Sequence, residues 1–463
     1  MSQISDTIDF RKVDYDHSTY KFSLIHPDIG RTTTTLSGTA QRDIKFTLPT
    51  DAFNLSRSYV CMDYKIPAQG VDRYPWVFSD VLGIVNQIRL RTSANVELEK
   101  LDYVPQFTKA LKGDIPLTDF LTMDEEEVLH PSRMAETSYY TVPDALFNQN
   151  GPVYVKSVAG RDDEGKVAPN VESEVIRIRF PLGLLKGTIF GEDNSLYFPE
   201  SLSLHVCLGA YGNIGFSSLA IDDPASTPLD LNTVPVMTLN DVRLLLAVEQ
   251  NKRISADLQA SVNGPGMRVR VPVTYGIQTA FSAGAFNQTV TIRADSGNGL
   301  KLRRFKHIVI PVEEKNVRYN SSNITAFDDF TPDNVSTYYV MVDNQRVSGE
   351  MNLDCKDDYD WLANREHLKN SVIQDKLMYK LEWHHQEDFS GLREDPYDDI
   401  HGTPKKNMSG GLDLLTKERK IDIFTTMASN NARTHYTFLE CERELFIQKN
   451  GIGFELNASP TTI

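Results

Sequence analysis

The 463-residue chain predicts an all-β protein, built as two tandem eight-stranded β-sandwiches with a few short helices in their loops. Three observations lead there. Apolar residues recur at every second position in many short runs, the mark of strands that keep one face on a core. Stretches with helical spacing are few, and the segments between strands are long. Finally, the segment RTSANVELEKLD at 91–102 has a partial echo, RVSGEMNLDCKD, at 346–357, with Ser93 answered by Ser348, 255 positions on. An offset just over half the chain is what a duplicated sandwich domain produces, since such domains reach ~200 to 250 residues. Two strand-like runs precede each copy in the same order: DIKFTLP and YVCMDYKIP in the first half, QTVTIR and FKHIVIPV in the second.

Residues 1–41 carry little regular pattern and end in the polar run RTTTTLSGTAQ, so they read as an N-terminal arm. A first sandwich follows over 42–232. Its strands start where Ile44, Phe46 and Leu48 alternate with Lys45 and Thr47, and continue where Val60, Met62, Tyr64 and Ile66 repeat the pattern until Pro67. Ile88 and Leu90 then alternate with Arg89 and Arg91. After Ser93 the spacing shifts to Leu98, Leu101, Val104, Phe107 and Leu111, which predicts an amphipathic helix kinked or split at Pro105. Long loops fill 112–174, with a short strand near 139–142 and an acidic tract at 124–127; loops of that length are usually exposed insertions or functional. Strands return at 174–180, where Ile176, Ile178 and Phe180 oppose Arg177 and Arg179, then at 181–190 and 201–208. Residues 222–234, rich in Asp, Pro, Ser and Thr, read as the linker.

The second sandwich is expected over 233–456, before a tail at 457–463. It opens with an apolar strand at 236–248 and a helix carrying Ile254, Leu258 and Val262, which Asn263-Gly-Pro-Gly266 stops. Met267, Val269, Val271 and Val273 mark the next strand. A helix at 359–368 is expected to answer the one after the first motif, and strands follow at 376–383, 421–426 and 434–449. Many short strands, long loops and few helices favour the jelly-roll arrangement in both halves.

Composition narrows the function. With 63 acidic residues against 48 Lys and Arg, the net charge of −15 repels polyphosphate, so direct nucleic-acid binding is not expected. The most basic short run, KLRRFKH at 301–307, reads as a strand end at a subunit contact. No run of about 18 apolar residues occurs, so no membrane-spanning helix is predicted. The start, MSQISDTIDFRKVDYD, lacks the apolar centre of a signal peptide. Cys61, Cys207, Cys355 and Cys441 lie far apart in or beside apolar runs and read as buried thiols of a reducing compartment, which leaves the sequons at Asn320 and Asn323 little meaning.

Candidate chemistry is sparse. His384, His385, Glu387 and Asp388, followed by Glu394, Asp395, Asp398, Asp399 and His401, form the densest polar cluster. A metal would need these groups to converge, yet adjacent histidines on a strand point to opposite faces, and Gly391, Pro396 and Gly402 favour a solvated loop. The acidic run at 354–360 lacks the Gly and terminal Glu of a calcium loop and reads as a charged helix start. No GxSxG, GxxxxGK[ST] or HExxH occurs. No catalytic, cofactor or metal residue is therefore assigned.

Three stretches together resemble the double jelly-roll major capsid proteins of tailless icosahedral DNA viruses, above all those of polinton-like viruses and virophages. They are VNQIRLRTSANVELEKLDY at 85–103, FPLGLLKG with the strand SLSLHVCL at 180–208, and the block from GGLDLLTKE to HYTFLECERELFIQKNG at 410–451. The order of elements carries the likeness more than any residue, and the chain is compact for a virophage member, with less room for tower loops. The resemblance implies a homotrimeric, hexon-like capsomer whose six jelly rolls tile a double-stranded DNA virion, with penton and minor capsid proteins as further partners, no enzymatic activity, and ends that order on assembly. The alternatives are a minor capsid component, or a glycan-binding or glycan-cleaving sandwich in which Trp383, Tyr397 and Asp388 would contact sugar.

Overall fold

The computed structural model describes residues 18–28, 33–36, 42–65, 76–77, 85–104, 106–107, 139–141, 154–157, 176–208, 237–311, 335–346, 351–352, 380–384 and 412–454. Within them lie four large antiparallel sheets. The first has the order β1 (Tyr20–Ile25), β13 (Met237–Glu249), β4 (Ala52–Lys65), β10 (Ile176–Pro181), with β2 (Thr33–Leu36) on β13 and β11 (Leu196–Tyr197) on β4. Facing it is β3 (Arg42–Thr47), β12 (Ser203–Leu208), β6 (Val85–Arg91), β7 (Glu97–Asp102).

The second half repeats this order. One sheet runs β14 (Met267–Phe281), β23 (Arg433–Gln448), β16 (Lys301–Pro311), β20 (Lys380–His384), with β21 (Leu412–Asp413) on β16 and β24 (Gly451–Phe454) on β23. The other runs β15 (Asn287–Ala294), β22 (Arg419–Met427), β17 (Val335–Val342), β18 (Gln345–Arg346), with β19 (Met351–Asn352) on β17. A small sheet joins β5 (Trp76–Val77), β9 (Tyr154–Ser157) and β8 (Tyr139–Thr141). Strand for strand, β1, β13, β4, β10 match β14, β23, β16, β20, and β3, β12, β6, β7 match β15, β22, β17, β18. The fold is a double jelly roll.

Period-two alternation explains each sandwich. In β15, Gln288, Val290, Ile292 and Ala294 are buried while the residues between them are exposed. Ile44 and Phe46 of β3 meet Leu204 and Val206 of β12 in register and pack toward Leu244 and Leu246 of β13. Each such fully buried side chain contributes roughly 1.5–3 kcal/mol. Helix α1 (Lys252–Asn263) forms where expected. Asn251 caps it by accepting from the backbone N–H groups of Arg253 and Ile254, and Gly264 and Gly266, the latter at φ +85°, end it.

Four expectations are corrected. Tyr20–Ile25 is not an arm but an edge strand, in register with β13 from Tyr20 opposite Glu249 to Ile25 opposite Leu244. Strand β13, expected to open the second sandwich beyond residue 232, lies between β1 and β4 of the first. Glu97–Asp102 is strand β7 and not helix; among the described residues of this segment, helical backbone appears at Val104 and at Gln106 and Phe107. Beyond Pro181, the segment expected as a strand folds into 3-10 turns at Leu182–Leu184 and Ile189–Gly191, held by Thr188, which donates to the Leu185 carbonyl and accepts from the Phe190 N–H. The expected linker at 222–234, the helix at 359–368, the acidic tracts at 124–127 and 354–360, and Cys355 lie outside the described residues.

Candidate functional site: the junction of the two jelly rolls

The candidate site is the junction where the sheets of one half meet those of the other. Strand β7 and the residues after it run against the outer side of the β14-β23-β16 sheet. On β23, Leu439 and Cys441 face the core of the second sandwich, whereas Tyr436 and Phe438 point away from it into the first. Tyr103 meets Tyr436 edge-on at 5.2 Å, and Phe107 meets Phe438 in the same way at 5.2 Å. Gly276 of β14 lets the backbones approach: a Cβ there would stand 2.9 Å from the Asp102 carbonyl oxygen.

Glu99 is the polar centre of this contact. Its carboxyl is buried and accepts from two backbone N–H groups, Ile189 of the first jelly roll at 3.1 Å and Thr274 of the second at 3.3 Å. Burial pushes it up to about 8, against the pull of those N–H groups and of the nearby Arg443. The Thr274 hydroxyl donates to the Gly187 carbonyl at 2.6 Å, a second tie across the seam. A cavity of about 370 Å³ opens beside it, lined by Glu97, Glu99, Lys100, Tyr275 and Arg443 among others. Arg443 donates to the Tyr275 hydroxyl, and burial raises that phenol. Farther along, Glu200 accepts from the Ser93 backbone and hydroxyl and from the Ile452 N–H at 3.2 Å, tying the β6–β7 turn to β24.

These groups are engaged in holding sheets together. Among the described residues, no three His, Cys, Asp or Glu side chains gather in a way that could hold a metal. No helix among them is long and apolar enough to cross a membrane. Cys61, Cys207 and Cys441 are buried free thiols.

The basic run at 301–307 forms the first part of β16 from its starting residue Lys301, and much of its charge is matched from β23. Arg304 pairs with Glu440, Arg303 lies 3.7 Å from Glu442, and Lys306 and His307 are buried. His384 and Trp383 fall on β20, opposite Arg304 and Phe305. His385, Glu387, Asp388, Glu394, Asp395, Tyr397, Asp398, Asp399 and His401 lie outside the described residues. Sequence reasoning passed over Glu99, which sits in ELEKLD like any surface charge; only its place beside a strand bulge distinguishes it.

No family model matches the sequence, and no curated protein sequence does. Among solved structures, a chain of the PBCV-1 virus capsid aligns over 95% of this chain and 97% of its own, at 7% identity and a TM-score of 0.52. The Faustovirus major capsid protein aligns over 93% of this chain and 91% of its own, at 9% identity and a TM-score of 0.52. The mavirus major capsid protein aligns over 94% and 90%, at 9% identity and a TM-score of 0.50. At these identities the likeness is one of fold, and it runs through both jelly rolls.

Proposed function

We propose that this chain is a viral major capsid protein, which self-associates into a trimeric, pseudo-hexagonal capsomer of an icosahedral virion. The observation that carries the reading is the repeated sheet order, two jelly rolls joined side by side through Glu99, Gly276 and the paired aromatics, in a chain that aligns end to end with capsid proteins. Two similar blocks per chain allow a three-fold assembly to present six near-equivalent neighbours, and association covers exposed edge strands. The division between the jelly rolls falls, on this reading, at α1 rather than before β13. The role is structural and not enzymatic, its place is the virion, and its other partners are penton and minor capsid proteins. The net charge of −15 suits a shell that does not itself grip the genome.

Light scattering on purified protein, with negative-stain images of the same fraction, tests this. A particle of about three times the 52.2 kDa chain with a hexagonal outline is expected. A stable monomer at high concentration overturns the proposal.

A further inference from the structure

The cavity beside Glu99 is more than a packing gap between the two halves. At about 370 Å³ it has the size of a small-molecule pocket, and both jelly rolls build it: β7 from the first, and β14, β23 and the β15–β16 and β21–β22 turns from the second. One wall is apolar, made by Val273, Leu300 and Leu415, and Leu415, 37% exposed, brings that wall out to the surface. The wall is fixed in place. The Leu300 N–H donates to the Glu442 carbonyl, the Leu414 N–H to the Leu300 carbonyl, and the Tyr275 hydroxyl to the Asn298 carbonyl at 3.0 Å.

The rest of the lining is charged, and much of that charge is met from outside the cavity. Arg91 answers Glu97 at 3.0 Å, Arg270 answers Glu444 at 3.8 Å, and Asp102 answers Lys100 at 2.9 Å. Arg443 sets the sign of what remains: it donates to the Tyr275 hydroxyl, and its positive charge draws down the Glu99 and Tyr275 groups together. Glu99 brings no opposing charge, since burial keeps its carboxyl protonated at neutral pH. Its bonds to the Ile189 and Thr274 N–H groups are both ones in which it accepts, so the acid O–H has still to find an acceptor.

We infer that this cavity binds a small amphiphilic carboxylate, its head between Arg443 and Glu99 and its chain along Val273, Leu300 and Leu415. The guanidinium presents a carboxylate with a fork of N–H donors, and the acid O–H of Glu99 adds another hydrogen bond. Because β7 and β14 both line the cavity, such a ligand joins the two jelly rolls and stabilises their seam by mass action. The site lies within one chain and goes beyond the capsomer reading, on which it does not depend.

Calorimetric titration with octanoate tests this, with octylammonium and octanol as probes of equal length that reverse or remove the charge. One octanoate per chain is expected, with a raised unfolding temperature, and the other two probes should bind about tenfold more weakly, as loss of a charge-assisted hydrogen bond implies. Leu415→Asp, at a partly exposed turn position, should keep the parent's unfolding temperature and lose octanoate affinity by about tenfold, because it places a negative charge in the apolar wall. Above about pH 8 the parent's affinity should fall as Glu99 ionises. Glu99→Gln shares Glu97, Lys100, Tyr275, Arg443 and Glu444 with the parent but cannot ionise at position 99, so its affinity should hold. No octanoate binding, equal or tighter binding of either other probe, undiminished binding by a folded Leu415→Asp, or a Glu99→Gln profile that falls with the parent's overturns the inference. None of these outcomes touches the mass in solution by which the capsomer reading stands or falls.

Discussion

A glutamate whose carboxyl is pushed up to about 8 keeps its proton through neutrality, whereas the same group in the unfolded chain gives it up near 4.5. Folding on Glu99 therefore takes up a proton between those values, and stability falls as pH rises across that window by on the order of 1.4 kcal/mol per pH unit. His307 and His435 act in the opposite sense. They lie in a buried chain in which His307 meets the Thr437 hydroxyl at 2.9 Å and His435 at 3.0 Å, and His435 reaches the Gln288 side chain at 2.6 Å. Burial lowers His307 to about 3; burial, then the charges of His307 and Arg433, lower His435 to about 2. Their neutral forms support the fold above 6.5, and that support is lost as pH falls toward 3. Between 4.5 and 6.5 two histidines outweigh one glutamate, and above 6.5 only the glutamate's slope remains. These three groups therefore place the stability maximum near pH 6.5, read as urea midpoints across a pH series. Glu99→Gln should flatten the alkaline arm, and His435→Gln should level the acid arm between 4.5 and 6.5, where one histidine then only offsets the glutamate, and halve its slope below 4.5. An alkaline arm unchanged in Glu99→Gln would rule out this assignment.

At the level of elements, β7 shows how a strand passes for a helix. Leu98 and Leu101 are three apart and both fully buried, which in a regular strand would put them on opposite faces. The register explains it: Arg91 pairs with Glu97 and Leu90 with Glu99, so Leu98 is an extra residue in a β-bulge. The bulge turns a period of two into an apparent period of three, and tertiary pairing with β6 decides the outcome. Leu98→Ala should cost about 2–5 kcal/mol in chemical unfolding, as a core truncation does; a cost below about 1 kcal/mol would place Leu98 outside the core. Regular strands such as β3, β12 and β15 were legible because one face is wet and the other dry, and so was α1, with its apolar spacing and Gly stop. Strand β1 was not, because Phe22 and Leu24 spend its alternation on the outer face. The sheet membership of β13 was hidden for another reason: its register partners, Tyr20–Ile25 and Ala52–Lys65, lie some 200 residues earlier, and local pattern carries no information about pairing at that distance. The junction was illegible for the same reason, since Glu99 and Thr274, or Phe107 and Phe438, have no relation until the two halves pack.

The whole molecule behaves as one cooperative unit if the seam is strong relative to each half. Phe107, Ile308, Tyr436 and Phe438 are each no more than 3% exposed and belong to a single apolar cluster that runs from the first sandwich into the second. At 1.5–3 kcal/mol each, they contribute roughly 6–12 kcal/mol, comparable to the whole net stability of an ordinary domain. Neither half can open without exposing that surface on the other, so calorimetry should show a single transition, with calorimetric and van't Hoff enthalpies in agreement. Gly276→Val provides the control. Valine suits a strand, so the change does not weaken β14 itself. Its Cβ would instead meet the Asp102 carbonyl oxygen at 2.9 Å and the Tyr103 ring at 3.2 Å across the seam, forcing the halves apart, with its own sheet partner Phe438 at 3.3 Å leaving it no room to turn aside. The variant should lower the transition temperature and split it in two, one step for each jelly roll. Two transitions in the unaltered protein would instead mean that the seam is weaker than either sandwich, and that the rigidity of the assembled block comes from contacts between copies.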